Sequence, residues 1–152
     1  MEEKVATNKL EKRALSLVKF CLGENVEIIE QEKSLEGTPD LFVPSLNLII
    51  FVDGDFWHPR SGGKGYSMRR AAINLLARGE NQKAIFWANK AEQNIKRDRD
   101  NTKVLKQRGY RVVRLKEEKI NRNWLKALAY VSSTISRALL VKPKCVNTKK
   151  NK

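Results

Sequence analysis

The sequence has little cysteine and almost no histidine: two cysteines and one histidine among 152 residues. Cys21 and Cys145 are too few and too far apart to form a zinc cluster, and their scarcity fits a reducing compartment. No apolar run approaches the roughly 20 residues that a membrane span requires. The charged N-terminus carries no apolar signal segment. These absences predict a cytoplasmic protein with no membrane partner.

Charge, by contrast, is abundant and unevenly distributed. Residues 1–60 hold 7 basic and 11 acidic side chains, whereas residues 61–152 hold 24 basic and 6 acidic ones, within a total net charge of +14. A basic half binds phosphates and releases counterions, and an acidic half can hold cations that activate a phosphodiester. The distribution favours an enzyme acting on a polyanion, although a ribosome-type or merely soluble basic protein has similar composition.

Hydrophobic periodicity predicts an α/β fold in the order α-β-β-β-(α)-α-β-α, with a central mixed β-sheet flanked by helices. Helices are predicted at 7–22, 68–78, 83–108 and 120–140, and strands at 26–30, 40–43, 46–52 and 110–115. In the last helix the inward-facing residues are predicted to include Trp124 and Leu125. One domain is expected over residues 1–141, followed by a basic, disordered tail at 142–152.

The ends of two predicted strands bring candidate catalytic groups together. Asp40 precedes a short strand, and its carboxylate is the hard oxygen ligand that Mg²⁺ prefers. Val52, twelve residues later, can offer only its backbone carbonyl to a metal. His58, the only histidine, lies beyond the end of that strand and can act as general base near neutral pH. The plainer alternatives are an aspartate in a turn and a surface or core imidazole.

A third element is the predicted long helix, where Lys90, Asn94 and Asp98 share one face through their i, i+4, i+8 spacing. Asp98 can orient His58, and Asn94 can position water or phosphate; a solvated, salt-bridged face is the alternative. The predicted DNA-contacting side chains are cationic and come from the Gly-rich loop and the two helices after it: Arg60, Lys64, Arg69, Arg70, Lys90 and Arg97.

Four blocks of this sequence, at 38–40, 50–58, 86–98 and 105–114, resemble the very-short-patch-repair (Vsr) endonucleases and the related EDxHD homing endonucleases. The resemblance spans residues 8–135. It implies a restriction-endonuclease-like PD-(D/E)XK core and Mg²⁺-dependent DNA cleavage, with Mn²⁺ able to substitute. It assigns the acid of the first helix to Glu11, the metal-binding aspartate to Asp40, the general base to His58 and its supporting acid to Asp98.

The sequence also departs from the repair enzymes in the block before His58. Asp55 stands where those enzymes have a zinc-binding cysteine, so no zinc is expected. Asp53 replaces a histidine, and Asp53 or Asp55 can add a metal ligand that the repair enzymes lack. Glu11 and Asn94 are expected to shape the metal and water shell. No wedge that would intercalate at a T·G mismatch can be identified from the sequence.

The sequence therefore predicts a Mg²⁺-dependent endonuclease of phage or homing type that acts on double-stranded DNA, nicking one strand or cutting both. A monomer or weak dimer in a bacterial or phage-infected cell is expected. The alternatives are a T·G mismatch-specific repair endonuclease, a non-catalytic DNA-binding protein and a structural RNA-binding protein. The acidic residues disfavour the last of these, because a passive binder gains nothing from carboxylates that face phosphate.

Overall fold

The computed structural model describes residues 8–58 and 67–142. The predicted loop at 59–67 and the basic tail therefore lie largely outside the described residues. Within these two ranges ten elements follow one another: α1 (Lys9–Leu22), β1 (Ile29–Glu30), β2 (Leu41–Val43), a 3-10 turn (Pro44–Leu46), β3 (Leu48–Asp53), α2 (Met68–Ala77), α3 (Asn81–Gln107), β4 (Arg111–Lys116), α4 (Glu117–Ile120) and α5 (Trp124–Leu140).

The four strands form one mixed sheet in the order β1-β2-β3-β4. The pairs β1–β2 and β2–β3 are antiparallel, with Leu41 opposite Ile50. β3 and β4 are parallel, in a register that runs from Leu48 beside Arg111 to Asp53 beside Lys116. Every residue of β3 is buried. The prediction of a mixed sheet with an interior apolar strand is therefore confirmed.

Helices cover both faces of the sheet. On one face α1 and α5 pack against the sheet, and the buried side chains there include Leu17, Val131 and Ile50. On the other face Leu105 of α3 packs with Ile49 and with three further residues, Leu35, Phe51 and Tyr110. β3 contributes alternate side chains to each face, which explains why its sequence is continuously apolar rather than alternating.

The helix boundaries follow local signals. The Asn8 side chain accepts a hydrogen bond from the Glu11 N–H and caps α1, and Gly23 at φ +86° ends that helix. α3 runs for 27 residues because no glycine or proline interrupts it. No helix in the described ranges is long and apolar enough to cross a membrane.

Two predictions about secondary structure are wrong. The first strand is limited to Ile29–Glu30. The last helix, predicted from residue 120, begins at Trp124 as α5, because the Asn123 side chain accepts from the Lys126 N–H and caps it; the short helix α4 (Glu117–Ile120) before it was not predicted. The inward stripe of α5 is then formed by its buried residues Ala127, Val131 and Ile135. Trp124 and Leu125, in the first turn, are 38% and 76% exposed instead of buried.

The turn that leads into β2 has an unusual backbone. Gln31, Gly37 and Thr38 adopt positive φ values of 51°, 77° and 47°. The Gln31 N–H donates to the Asp40 carbonyl at 3.0 Å, so the two ends of the turn are joined. A Cβ at Gly37 would lie 2.6 Å from Nδ2 of the Asn101 side chain and 3.3 Å from the Phe51 ring.

Gly37→Ala is therefore expected to destabilise the protein more than Gly79→Ala. Both glycines have φ +77°, which costs an L-residue about 1–2 kcal/mol. Of these two glycines, only Gly37 has atoms within 4 Å of the added Cβ. Displacing those atoms adds about 1 kcal/mol or more to the loss of stability. Urea denaturation of the two variants measures the difference in free energy of unfolding. Equal losses of unfolding free energy in the two variants would show that the neighbours of Gly37 move aside at no cost.

Candidate active site

Asp40 reaches the adjacent strand through its side chain. It immediately precedes β2, whose antiparallel register places it next to the end of β3. The Asp40 Oδ2 atom accepts a hydrogen bond of 2.7 Å from the backbone N–H of Val52. Burial raises the pKa of the Asp40 carboxyl, and the hydrogen bonds from Val52 and Gln31 only partly oppose that effect. A buried carboxylate of this kind favours a proton or a cation.

Gln31 joins Asp40 to Glu11. The Gln31 amide donates to Asp40 Oδ1 at 3.2 Å and to Glu11 Oε2 at 3.3 Å. Burial, and then the charge of Asp40, raise the pKa of Glu11. The structure thus brings together two acids that the resemblance singled out, although 29 positions separate them in the sequence. Gln31 itself was missed, because only its position in the folded turn reveals its role.

His58 and Asp98 form the second pair of the site. The His58 Nδ1 atom lies 2.5 Å from Asp98 Oδ2 and 3.7 Å from Asp53 Oδ1. Burial lowers the pKa of His58, but the hydrogen bond to Asp98 and the charges of Asp53 and Asp98 outweigh it and leave the pKa above its usual value. With Nδ1 engaged by a carboxylate, Nε2 is the nitrogen that remains for proton transfer.

Arg114 on β4 ties the two strands to α3. Its Nη1 donates to Asp53 Oδ1 at 2.8 Å, its Nη2 to the Asp98 carbonyl at 3.2 Å and its Nε to Thr102 Oγ1 at 3.0 Å. The guanidinium carbon also lies 4.3 Å from the centre of the Phe51 ring. Arg114 was not predicted as a site residue, because an arginine in an alternating strand indicates only a half-buried surface.

Asp53 is held on the Arg114 side of the site. Burial raises its pKa, and the charges of Arg114 and His58 oppose that shift. Its charge also contributes to the raised pKa of Asp40, so the two carboxylates lie within electrostatic reach. In the described ranges, no three histidine, cysteine or acidic side chains converge closely enough to hold a metal ion by themselves.

Asn94 is placed differently from the water-positioning role expected of it. It is buried on α3, and its amide donates to the Trp57 carbonyl at 2.8 Å and lies 3.7 Å from Met68 Sδ. The segment that ends in His58 is also fixed from its other side, where the Asp55 N–H donates to Glu117 Oε2 at 2.7 Å. Asn94 and Glu117 therefore position the backbone on either side of Phe56.

Four aromatic residues, here called the aromatic cluster, pack against one another: Phe56, Trp57, Phe86 and Trp87. Their ring centres lie 4.9 Å apart for Phe56 and Trp57, 5.6 Å for Phe56 and Trp87, and 5.3 Å for Phe86 and Trp87. Trp57 is 53% and Phe86 59% exposed. This cluster was not predicted, because its two halves are about thirty positions apart in the sequence; the paired aromatics at 56–57 and 86–87 are the signal that could have indicated it.

The predicted DNA-contacting residues fall into two groups. Arg60 and Lys64 lie outside the described residues. Arg70 and Lys90 are exposed, Arg69 pairs with Glu92 at 2.7 Å, and Arg97 lies 3.9 Å from Asp98 Oδ1. The last contact places one of these cations beside the His58–Asp98 pair.

A mixed sheet whose strand ends gather carboxylates and a histidine beside a cationic helix is the arrangement of a phosphodiester-cleaving nuclease. The family model for the DNA mismatch endonuclease Vsr matches residues 3–64. The type II nicking enzyme V.NmeDIP of Neisseria meningitidis serogroup C is 32% identical over 112 residues, which cover 74% of this chain and 68% of that protein.

Two further relatives support the same assignment. The type II nicking enzyme V.HpaIIP of Haemophilus parainfluenzae is 31% identical over 70% of this chain and 68% of its own length. The DNA mismatch endonuclease Vsr of Escherichia coli is 31% identical over 68% of this chain and 57% of its own length. The chain belongs to the Vsr family of DNA endonucleases. The resemblance inferred from the sequence and the restriction-endonuclease-like fold are confirmed.

The His58 environment can be tested without any cleavage assay. Asp98→Asn is expected to lower the pKa of His58 relative to the native chain, because it removes the charge that faces Nδ1. Since the chain has one histidine, a single imidazole resonance reports the titration in NMR spectra. Asp100→Asn, on an exposed position two residues along α3, is the matched control and should leave that pKa unchanged. The same pKa in all three proteins would contradict the pairing.

Proposed function

We propose that this DNA endonuclease is Mg²⁺-dependent and uses His58 as its general base. The observation that carries the proposal is that the Glu11–Asp40 pair, at the start of β2, and the His58–Asp98 pair, beyond the end of β3, lie within electrostatic reach of each other. One pair supplies hard oxygen ligands and the other a base, which are the two requirements for hydrolysis of a phosphodiester.

The donor set at Asp40 fits Mg²⁺. Mg²⁺ keeps several waters and is commonly held by one or two carboxylates together with substrate phosphates, so a complete protein cage is not required. Glu11 and Asp40 approach the same amide of Gln31, and each has a raised pKa, which a divalent cation would reverse. The Val52 carbonyl is the proposed third protein ligand. The ion would stabilise the charge that develops on the phosphate, and Mn²⁺ offers the same oxygen chemistry.

The proposed base acts through a defined nitrogen. Asp98 accepts from His58 Nδ1 and fixes the tautomer that leaves Nε2 able to take a proton from water. Because the pKa of His58 is raised, its neutral form becomes dominant at a higher pH than for an ordinary imidazole. The rate of cleavage is therefore expected to rise with pH through that raised pKa.

The substrate is proposed to be double-stranded DNA bound by the cationic residues of α2 and α3. Arg69, Arg70, Lys90 and Arg97 would contact phosphates, which position the duplex without reading its sequence. A monomer or weak dimer and a phage or homing-type role remain part of the proposal. The names of two relatives, type II nicking enzymes, support cleavage of one strand.

The direct test of the metal site is Asp40→Asn, which keeps the shape of the side chain. We expect nicking of supercoiled plasmid with Mg²⁺ to fall by roughly 10²-fold or more, the scale seen when a group that stabilises the transition state is lost. DNA binding in EDTA should be retained, because removal of an acid weakens repulsion of phosphate. Asp100→Asn is the charge-matched control. A native rate in Asp40→Asn would show that the metal lies elsewhere.

The aromatic cluster favours a second function, recognition of a T·G mismatch. Aromatic side chains stack on bases or enter between base steps, and this costs least where pairing is already weakened. Trp57 immediately precedes His58 and is half-exposed. A nucleobase stacked on Trp57 would therefore lie close to His58, the proposed general base. The family model and one relative carry the name mismatch endonuclease.

Trp57→Ala is expected to reduce cleavage of a T·G duplex more than cleavage of the matched duplex. Base–aromatic stacking contributes about 1–3 kcal/mol per base, so the ratio of the two rates should fall roughly tenfold. Leu140→Ala removes a side chain that is 83% exposed at the end of α5 and controls for loss of surface apolar area. An equal loss on both duplexes would assign Trp57 to general binding or to folding.

A further inference from the structure

A second cleft lies outside the site described above. It occupies 730 Å³ between the first turns of α1 and the junction of α4 with α5. Lys9, Lys12 and Arg13 line it from α1, with Glu117 and Trp124 on the opposite side. Spacings of three and four residues place the three cations on one face of α1. A volume of this size accommodates a segment of a nucleotide chain.

The cations of this cleft differ in their contacts with the rest of the protein. Arg13 donates its Nε to the Ile120 carbonyl at 2.8 Å and its Nη2 to the Arg122 carbonyl at 2.7 Å. Its guanidinium carbon also lies 5.8 Å from the centre of the Trp124 ring, so Arg13 builds the wall of the cleft. Lys9 and Lys12 are exposed, and neither forms an ion pair with an acid in the described part of the chain.

The cleft adjoins the candidate active site on two sides. Glu11, which shares Gln31 with Asp40, lies in the same first turn of α1 as Lys9 and Lys12. Glu117 lines the cleft, yet its Oε2 accepts from the Asp55 N–H in the turn that leads to His58. The one acid of the lining is thus engaged at the active site, and the two unpaired lysines give the cleft a positive character.

We propose that this cleft binds the phosphodiester backbone of the DNA on one side of the cleaved bond. Lys9 and Lys12 contact the phosphates, and Trp124 forms an apolar wall against the sugars. The proposal rests on the proposed endonuclease function, because the cleft would then bind the DNA strand next to the part that enters the active site. It adds a phosphate-binding surface on the α1–α5 side of the sheet, opposite the cations of α3.

The test compares two double variants that remove the same charge. Lys9→Ala with Lys12→Ala alters the cleft, whereas Lys33→Ala with Lys103→Ala removes two exposed lysines that do not line it. Binding to a labelled duplex is measured by fluorescence anisotropy in EDTA over a range of salt concentrations. We expect the slope of log affinity against log salt to become shallower by roughly 2 in the cleft variant alone, since each phosphate contact contributes about 0.9.

Phosphate-ethylation interference on the same duplex locates the contacts. The native chain should show interfering phosphates on one flank of the nick position that the cleft variant no longer shows. Equal slopes in both double variants, or an unchanged interference pattern, would overturn the proposal. Thermal unfolding confirms that both variants are folded. Binding in EDTA is measured without cleavage, so the two proposals can fail separately. If only the cleft variant loses salt-dependent DNA affinity and the native chain does not nick DNA, the cleft proposal stands and the catalytic proposal is wrong.

Discussion

The parallel pairing of β3 with β4 is the constraint on which the arrangement of this molecule depends. Parallel neighbours cannot be joined by a tight turn, so the chain between them must cross over the sheet. Here the crossover contains α2 and α3, and α3 is long enough to carry Asn94 and Asp98 past the end of β3. The register then places Arg114 where its guanidinium reaches Asp53, Thr102 and the Asp98 carbonyl. Strand order and helix length thereby fix the neighbours of His58.

The distribution of charge within the site separates two aspartates that look alike in the sequence, the half-buried Asp40 and the buried Asp53. Asp53 faces Arg114 at 2.8 Å, so a permanent cation of the protein lies beside its carboxylate. Among the described residues, Asp40 accepts hydrogen bonds from two neutral groups, the Gln31 amide and the Val52 N–H, and Glu11 adds negative charge nearby. A buried charge without a counter-charge is costly. This difference favours Asp40, rather than Asp53, as the principal cation ligand.

Periodicity alone was sufficient to predict β3, α3 and the mixed sheet, because each has a strong local pattern: an unbroken apolar run or a long stretch without glycine or proline. The break between α4 and α5 could not be predicted from the apolar stripe, since it depends on one capping residue, Asn123. The family resemblance, rather than spacing, indicated Glu11 and Asp98. Neither periodicity nor the family resemblance indicated Gln31 or Arg114. The φ of +51° at Gln31 and the contacts of Arg114 with other elements are properties of the folded chain.

The backbone that carries the proposed base is held at several points, which bears on how the site could work. Glu117 binds the Asp55 N–H, Asn94 binds the Trp57 carbonyl, and the His58 N–H donates to the Gly54 carbonyl at 3.0 Å. Catalytic groups held in advance avoid an entropic cost at the moment of reaction. Trp57 is half-exposed beside His58, so one hydrogen-bonded segment presents both a stacking surface and the proposed general base. Recognition of an altered base and attack on the neighbouring phosphodiester would then be coupled through geometry, without any large conformational change.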